Sequence, residues 1–342
     1  MHVYTSFTCA GLSRALTLAG SLRRFHPDWT LWAVLVDRAP MGFDESWRGV
    51  FDFVLDPETL YGTNWRRFAF KHDVGEACAA VKGRALLHLL GEGAEKAIYL
   101  DPDIALFDDL NEIERRLDSA AVLLSPHQVA PNATLAAIAD NEAISMKYGV
   151  YNLGFLGVRN DANGAALARW WVDRLDQVGF DEVANGIFLD QKYFDLVPGL
   201  FDGVEILRDP GCHVASWNLS RRTLAIDAQG RILVNGRFPL RFYHFTKEIG
   251  DGDLMTERYA GGQLAVFEIG AAYERALAAS GAPAVPADYW AFGRYDDGET
   301  IQKAARVHYR GEPELFERFA DPFATGEGTY REYLAAVRPD LL

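Results

Sequence analysis

Two aspartates one residue apart, Asp101 and Asp103, close the apolar run Ala97-Ile98-Tyr99-Leu100, with Pro102 between them. Along an extended chain the side chains at i and i+2 point the same way, so both carboxylates can face one point in space. The proline restricts the backbone that joins them. Two carboxylates on one side repel unless something positive lies between them, and a hard divalent cation with oxygen ligands meets that need. Strand-end aspartates also serve as turn formers and helix caps, so a lone D-x-D leaves both readings open. Three later stretches carry further polar groups: Asn152 in Tyr151-Asn152-Leu153-Gly154-Phe155-Leu156, the pair Asp190-Gln191 before Lys192, and His244 in Phe242-Tyr243-His244-Phe245. Taken singly, Asn152 reads equally as a strand-end cap, Asp190 as a helix N-cap and His244 as a strand histidine satisfied by a backbone carbonyl.

The hydropathy pattern supplies the elements that must position these groups. Residues 2–7 read as a first strand, and Leu12, Ala15, Leu16, Ala19 and Leu22 recur at helical spacing over residues 12–24, with Arg23 and Arg24 suited to the last turn. Residues 31–36 form a continuous apolar run ending at Asp37, as a buried parallel strand does, and residues 51–55 give a shorter strand. Residues 69–90 read as helical, in two pieces broken near Gly83, before the strand at 97–100. This alternation indicates an α/β domain on a mostly parallel central sheet flanked by helices. In such sheets ligands bind beyond the carboxyl ends of the strands, where Asp37, Asp101 and Asp103 all fall. Later come a short charged helix (110–117), strands at 120–124 and 151–158, and a helix over 165–175, with 126–150 irregular or weakly helical between them. Residues 188–194 begin a turn or helical segment; strands are expected at 204–207, 231–234 and 240–245, with a hairpin pairing 222–227 and 231–235. The Gly/Pro/Ala-rich run 281–286 reads as a linker, dividing a catalytic domain (1–280) from a helical or irregular C-terminal appendage (281–342).

Composition excludes several classes. With 342 residues, 49% hydrophobic and 24% charged, the chain can bury a large core. A formal charge of −14 argues against nucleic acid or an anionic membrane face as partner. No apolar run approaches the ~18 residues of a membrane span, and residues 1–6 lack a charged and then apolar leader pattern. Cys9, Cys78 and Cys212 are too widely spaced for a disulfide framework or zinc site, so a cytoplasmic protein is the simplest expectation.

The four motifs, in this order and approximate spacing over residues 2–250, resemble those of GT-A glycosyltransferases, in particular the retaining glycosyltransferase family 8 and its relatives. The resemblance implies a Rossmann-like GT-A fold and transfer of a sugar from a nucleoside-diphosphate sugar, a UDP-sugar first among them, with retention. The acceptor would be a glycan, a lipid-linked sugar or a small molecule, as in polysaccharide biosynthesis. Carried over residue by residue, Asp101, Asp103 and His244 would hold Mn²⁺ or Mg²⁺. An imidazole ligand favours Mn²⁺. Asn152 and Asp190 would bind sugar hydroxyls, and Gln191 would face the anomeric carbon. Thr5, Ser6 and Phe7, with Asp37, would line the nucleobase and ribose pocket. Lys82 and Arg84 lie where the family keeps a cation near the donor phosphates, Lys82 being preferred. Two departures stand out: His244-Phe245-Thr246-Lys247-Glu248 lacks the glycine that usually precedes the phosphate-binding lysine, leaving Lys247 to reach the phosphate by another path. Thr5-Ser6-Phe7-Thr8 also replaces the acidic and asparagine residues that often meet uracil.

Rival enzyme classes fit less well. A D-x-D phosphohydrolase motif opens its chain and continues into threonine, whereas Ile104-Ala105 follows here. A nucleotidyltransferase wants a Gly-rich, Arg-containing loop where this chain has Thr8-Cys9-Ala10-Gly11-Leu12. A nucleotide-sugar-binding or scaffold protein that has lost turnover is the non-enzymatic alternative, and a homo-oligomer is left open. Acceptor loops are expected at 126–150 and 209–222, with Trp217 as a sugar-stacking platform and Trp65 as a second.

Overall fold

A computed structural model describes residues 1–246 and 251–342. Strand β1 (His2–Phe7) runs parallel to β2 (Thr30–Leu35), which in turn pairs with β3 (Phe53–Leu55). On its other side β1 pairs with β4 (Lys96–Leu100), again in parallel. After the short β5 (Ile104–Leu106) come β6 (Val122–Pro126) and β7 (Tyr151–Arg159). The central sheet has seven strands in the order Val204–Ile206, β6, β7, β4, β1, β2, β3. Only β7 runs against its neighbours, β4 and β6. The mostly parallel sheet flanked by helices is therefore as the hydropathy pattern predicts. The antiparallel strand matters for function: it delivers its first residues, Tyr151 and Asn152, to the same sheet edge at which β1 and β4 end.

Both faces of the sheet are covered because the strand interiors are apolar on both sides. Val3, Leu31, Ile98 and Leu123 pack with the helix Leu12–Phe25, while Tyr4, Trp32, Tyr99 and Leu124 join a cluster with the helices Val74–Gly91 and Ala162–Val178. The helical break expected near Gly83 lies instead at His72–Asp73, where Asp73 and Glu76 form a reciprocal capping box. Gly83 sits inside the helix because the helix Ala162–Val178 approaches closely. A Cβ there would meet Val172 N at 3.2 Å and Leu175 Cδ1 at 3.1 Å.

The segment beyond Gly281 does not stand apart. Phe292, Tyr309, Phe323 and Tyr330 belong to the same buried cluster as Tyr4 and Tyr99. Arg306, fully inside, donates to the carbonyls of Ala69, Phe70 and His72 through Nη1 and to Phe292 through Nη2. The Gly/Pro/Ala-rich run 281–286 has no regular secondary structure, and packing is decided by the aromatic residues that follow. No helix among the described residues is long and apolar enough to cross a membrane.

Candidate active site

The site is assembled at the carboxyl end of β4 and the amino end of β7. Asp101 N–H donates to Gly154 O at 2.9 Å, locking the aspartate to β7 just where β4 runs out. Ile104 N–H then donates to Asp101 O, so the chain turns through Pro102 and both carboxylates face the same side. β5 pairs antiparallel with the strand Phe242–His244, in which His244 stands opposite Ile104. Sequence-distant His244 is thereby placed over the turn, Nε2 lying 3.0 Å from Asp103 Oδ1 and 3.7 Å from Asp101 Oδ2. One ligand atom from each of Asp101, Asp103 and His244 lies within 4.8 Å of the others.

The neighbourhood is electrostatically coupled. Burial alone would raise Asp103, but the His244 imidazole beside it holds the carboxyl below its usual value. Burial works against a charged His244 too, yet Asp103 and Asp101 keep its pKa above the ordinary histidine value. Lys82, on the helix Val74–Gly91, reaches Asp190 Oδ2 at 3.2 Å, Asp101 Oδ1 at 3.4 Å and Leu153 O at 3.1 Å. Burial disfavours its ammonium, and the two carboxylates more than reverse that, raising its pKa. Asp190 is itself raised by burial despite Lys82. Tyr99 extends the network by donating to Asp101 Oδ1 at 2.6 Å, with Ser6 Oγ 2.9 Å from its hydroxyl.

Asn152 uses Oδ1 to accept from Gly154 N–H at 2.8 Å, and its Nδ2 lies 3.0 Å from His127 Nε2. Gln191 accepts from Leu153 N–H at 3.2 Å and donates to Tyr148 O at 3.0 Å, tying β7 to the loop before it. Gly154 is required for this arrangement: a Cβ there would meet His244 Cε1 at 2.5 Å and Asn152 Oδ1 at 2.8 Å. Two carboxylates and an imidazole suit a divalent transition ion, and the space beside Gly154 is what lets the imidazole lie there, so the donor set fits a metal.

These groups line a cleft of about 980 Å³. Ser6, Phe7, Lys82, Asp101, Asp103, Asn152, Asp190, Gln191 and His244 all border it. Three expectations fall elsewhere. Arg84 points to the other side of its helix, pairing with Asp176 and lying over Tyr61, because residues two apart on a helix face nearly opposite ways. Asp37 is buried under the C-terminal segment, accepting N–H bonds from Cys9, Arg38 and Ala291. Thr5 alternates to the opposite sheet face from Ser6 and is fully buried. Lys247 lies outside the described residues. Trp217 does border the cleft, edge-on to His127 and His244, whereas Trp65 is a core residue packed edge-on against Phe292.

The sequence reading missed three bordering or adjoining residues. Arg14, exposed on the first turn of the helix Leu12–Phe25, faces the cleft, and its charge favours the ionised Asp103. Its signal was available: the first turn after a parallel strand points to the ligand edge of the sheet. His127 borders the cleft as well, and burial lowers its pKa to about 4. His213 stands behind His244, its Nε2 3.0 Å from His244 Nδ1, and burial keeps its pKa well below the ordinary value. No motif announces either histidine.

No family model matches the chain. Two proteins of Bacillus subtilis (strain 168) are similar in sequence. The uncharacterized protein YfnF is 29% identical over 177 residues, 51% of this chain and 57% of that one. The uncharacterized protein YfnD is 25% identical over 257 residues, 72% of this chain and 77% of its own length. The chain thus spans little more than half of YfnF. Among solved structures, the galactosyltransferase LgtC in complex with donor and acceptor sugar analogs is similar at 15% identity and TM-score 0.48, over 84% of this chain and 98% of LgtC. The glycosyltransferase GlyE of Streptococcus pneumoniae TIGR4 is similar at 15% identity and TM-score 0.47, over 81% and 62%. Mouse xyloside xylosyltransferase 1 is similar at 14% identity and TM-score 0.42, over 72% and 98%.

Proposed function

We propose that the chain is a metal-dependent glycosyltransferase that moves a sugar, with retention, from a nucleoside-diphosphate sugar to a glycan, lipid-linked or small-molecule acceptor. The carrying observation is the convergence of Asp101, Asp103 and His244 within 4.8 Å, beside a buried Lys82–Asp190 pair in one cleft. A divalent ion such as Mn²⁺, held by Asp101, Asp103 and His244, would supply a Lewis acid for the charge that develops on a leaving diphosphate. The chain's own residues do the rest. Arg14 offers its guanidinium to the phosphates. Lys82 keeps Asp190 and Asp101 in place and shares their charge, so Asp190 can accept from sugar hydroxyls without unpaired burial. Ser6 and Phe7 border the cleft and would meet the nucleoside. Gln191 Oε1 accepts one hydrogen bond, from Leu153, and retains a second lone pair that can face a developing oxocarbenium ion. The three cysteines are unpaired, which suits action in the reducing cytoplasm.

One observation favours a second reading, a nucleotide-sugar-binding protein without turnover: both polar ends of Gln191 are engaged by the backbone of neighbouring segments. Thermal-shift titration with nucleoside diphosphates and Mn²⁺, followed by a turnover assay, separates the two. On the enzymatic reading, Asp103→Ala abolishes Mn²⁺-dependent transfer or hydrolysis while the melting temperature holds. Unchanged activity in this variant refutes the metal assignment.

A further inference from the structure

His213 lies behind His244, away from the cleft edge on which the carboxylates stand. It is 1% exposed and has φ 53°, a left-handed conformation that residues other than glycine rarely adopt. Its carbonyl accepts from Asn218 Nδ2 at 3.0 Å, and the next residues, Val214–Ala215, pair with the strand that carries His244. The two imidazoles lie 5.2 Å apart at 22°, with Trp217 edge-on to both and Phe242 5.3 Å from the His213 ring. Between this backbone and these aromatic neighbours the His213 ring stands with Nε2 3.0 Å from His244 Nδ1.

Proton bookkeeping gives this contact a consequence. His244 turns Nε2 toward Asp103 and Asp101. An imidazole that gives the lone pair of one nitrogen to a cation carries its proton on the other. For His244 the other nitrogen is Nδ1, and its partner is a second imidazole rather than the carboxylate or carbonyl that commonly fills this role. A carboxylate can only accept, whereas a neutral imidazole accepts at Nε2 in one tautomer alone, the one whose proton sits on Nδ1. His213 Nδ1 is a buried atom with no hydrogen-bond partner among the described residues. We infer that His213 is a positioning residue, which accepts the Nδ1 proton of His244 and so fixes the ring orientation and tautomer in which His244 can bind a divalent cation. The inference rests on the metal-binding reading above.

The test uses the full chain, Mn²⁺ alone and no nucleotide, with affinity read by calorimetry and by loss of the free-ion electron paramagnetic resonance signal. His213→Leu removes the acceptor and is expected to weaken Mn²⁺ binding about 10- to 100-fold. His213→Gln, whose amide oxygen reaches the position of Nε2, is expected to bind nearly as the natural chain does. His213→Asn tolerates the left-handed backbone but stops short of His244, and is expected to bind as weakly as the leucine variant. A purely structural role would lower the melting temperature of all three without separating Gln from Asn. Equal affinities for the Gln and Asn variants, or a folded leucine variant that binds at full strength, overturn the inference while leaving the metal site standing. A natural chain that binds no Mn²⁺ overturns the metal reading and this inference with it.

Discussion

Replacing Gly154 by alanine perturbs the acidic site without deleting any polar group in it. The new methyl would stand 2.5 Å from His244 Cε1, 2.8 Å from His244 Nδ1 and 2.8 Å from Asn152 Oδ1. Carbon–carbon contact is ordinary from about 3.5 Å outward, so the imidazole must retreat by about 1 Å. The backbone at Gly154 is not left-handed, and the effect is therefore steric rather than conformational. His244 now holds contacts of 3.0 Å to both Asp103 and His213, and hydrogen bonds weaken steeply once stretched by that amount. Overpacking of this kind costs about 1–3 kcal/mol of stability. The expected functional loss is of similar size, since a 1 Å misplacement costs on the order of 100-fold, or about 2.7 kcal/mol, in a positioned site. Gly157→Ala is the matched control. Three residues along the same strand, its Cβ faces the opposite sheet side, 3.2 Å from Leu123 Cβ and 3.4 Å from Leu117 Cδ1. That variant should lose stability alone. Mn²⁺ calorimetry and thermal unfolding on both variants read the two effects separately. A Gly154→Ala protein with natural Mn²⁺ affinity and melting temperature refutes the geometry, as does a Gly157→Ala protein that loses Mn²⁺ binding equally.

Arg14→Ala should leave the melting temperature unchanged, the side chain being exposed, while weakening nucleoside-diphosphate affinity about tenfold, the order of one charge-assisted hydrogen bond. Calorimetry at two salt concentrations checks it, the loss shrinking at high salt. Burial lowers the pKa of His72 to about 3, with the Lys71 charge adding to the effect. The unfolded chain takes up this proton below about pH 6.5 and the folded chain refuses it, so stability is full above that pH and falls as the pH drops toward 3. At pH 5 the loss from His72 is about 2 kcal/mol. His72→Gln should flatten the change in urea midpoint between pH 7 and 5. Arg306→Met strips hydrogen bonds from four buried carbonyls and should cost about 3 kcal/mol or more. Limited proteolysis should then cut first beyond residue 281.

Legibility followed the range of the interactions. Strands β1, β2, β4 and β7 were visible because a strand buried on both faces must be apolar throughout, and the D-x-D was visible because strand alternation alone aligns its carboxylates. The break placed at Gly83 failed because propensity is local. The sequence shows a weak helix former, while the reason for the glycine, Val172 N on another helix, lies far along the chain. Lys82 is the better phosphate-side candidate on sequence because Arg84 can pack on an aromatic, and Arg84 does lie over Tyr61 and pair with Asp176. That Lys82 meets Asp101 and Asp190 depends on elements far along the chain. Asp37 obeyed the strand-end rule and still fell outside the cleft, because Ala291 of the C-terminal segment covers it. His213 has no local signature at all: its meaning comes from a strand pairing that sets it behind His244.

The charges bordering the cleft bear on how so acidic a chain could hold a diphosphate. Asp101, Asp103, Asp140, Asp181 and Asp190 face it, against Arg14, Lys82 and Arg258 among the described residues. Two of those cations are already engaged, Lys82 by Asp101 and Asp190, and Arg258 by Asp140. The overall charge of −14 adds a repulsive field at long range. Arg14 alone cannot offset both that field and the two or more charges of a nucleoside diphosphate. A dication seated between Asp101 and Asp103 would convert the most repulsive point of the cleft into its most attractive one. On the proposed reading, then, the acidity is no obstacle to an anionic donor, because the aspartates that repel it are the ones that would recruit its counter-ion. Lys82 adds to the same design by keeping Asp190 paired, so that carboxylate can serve the sugar without adding a free charge beside the phosphates.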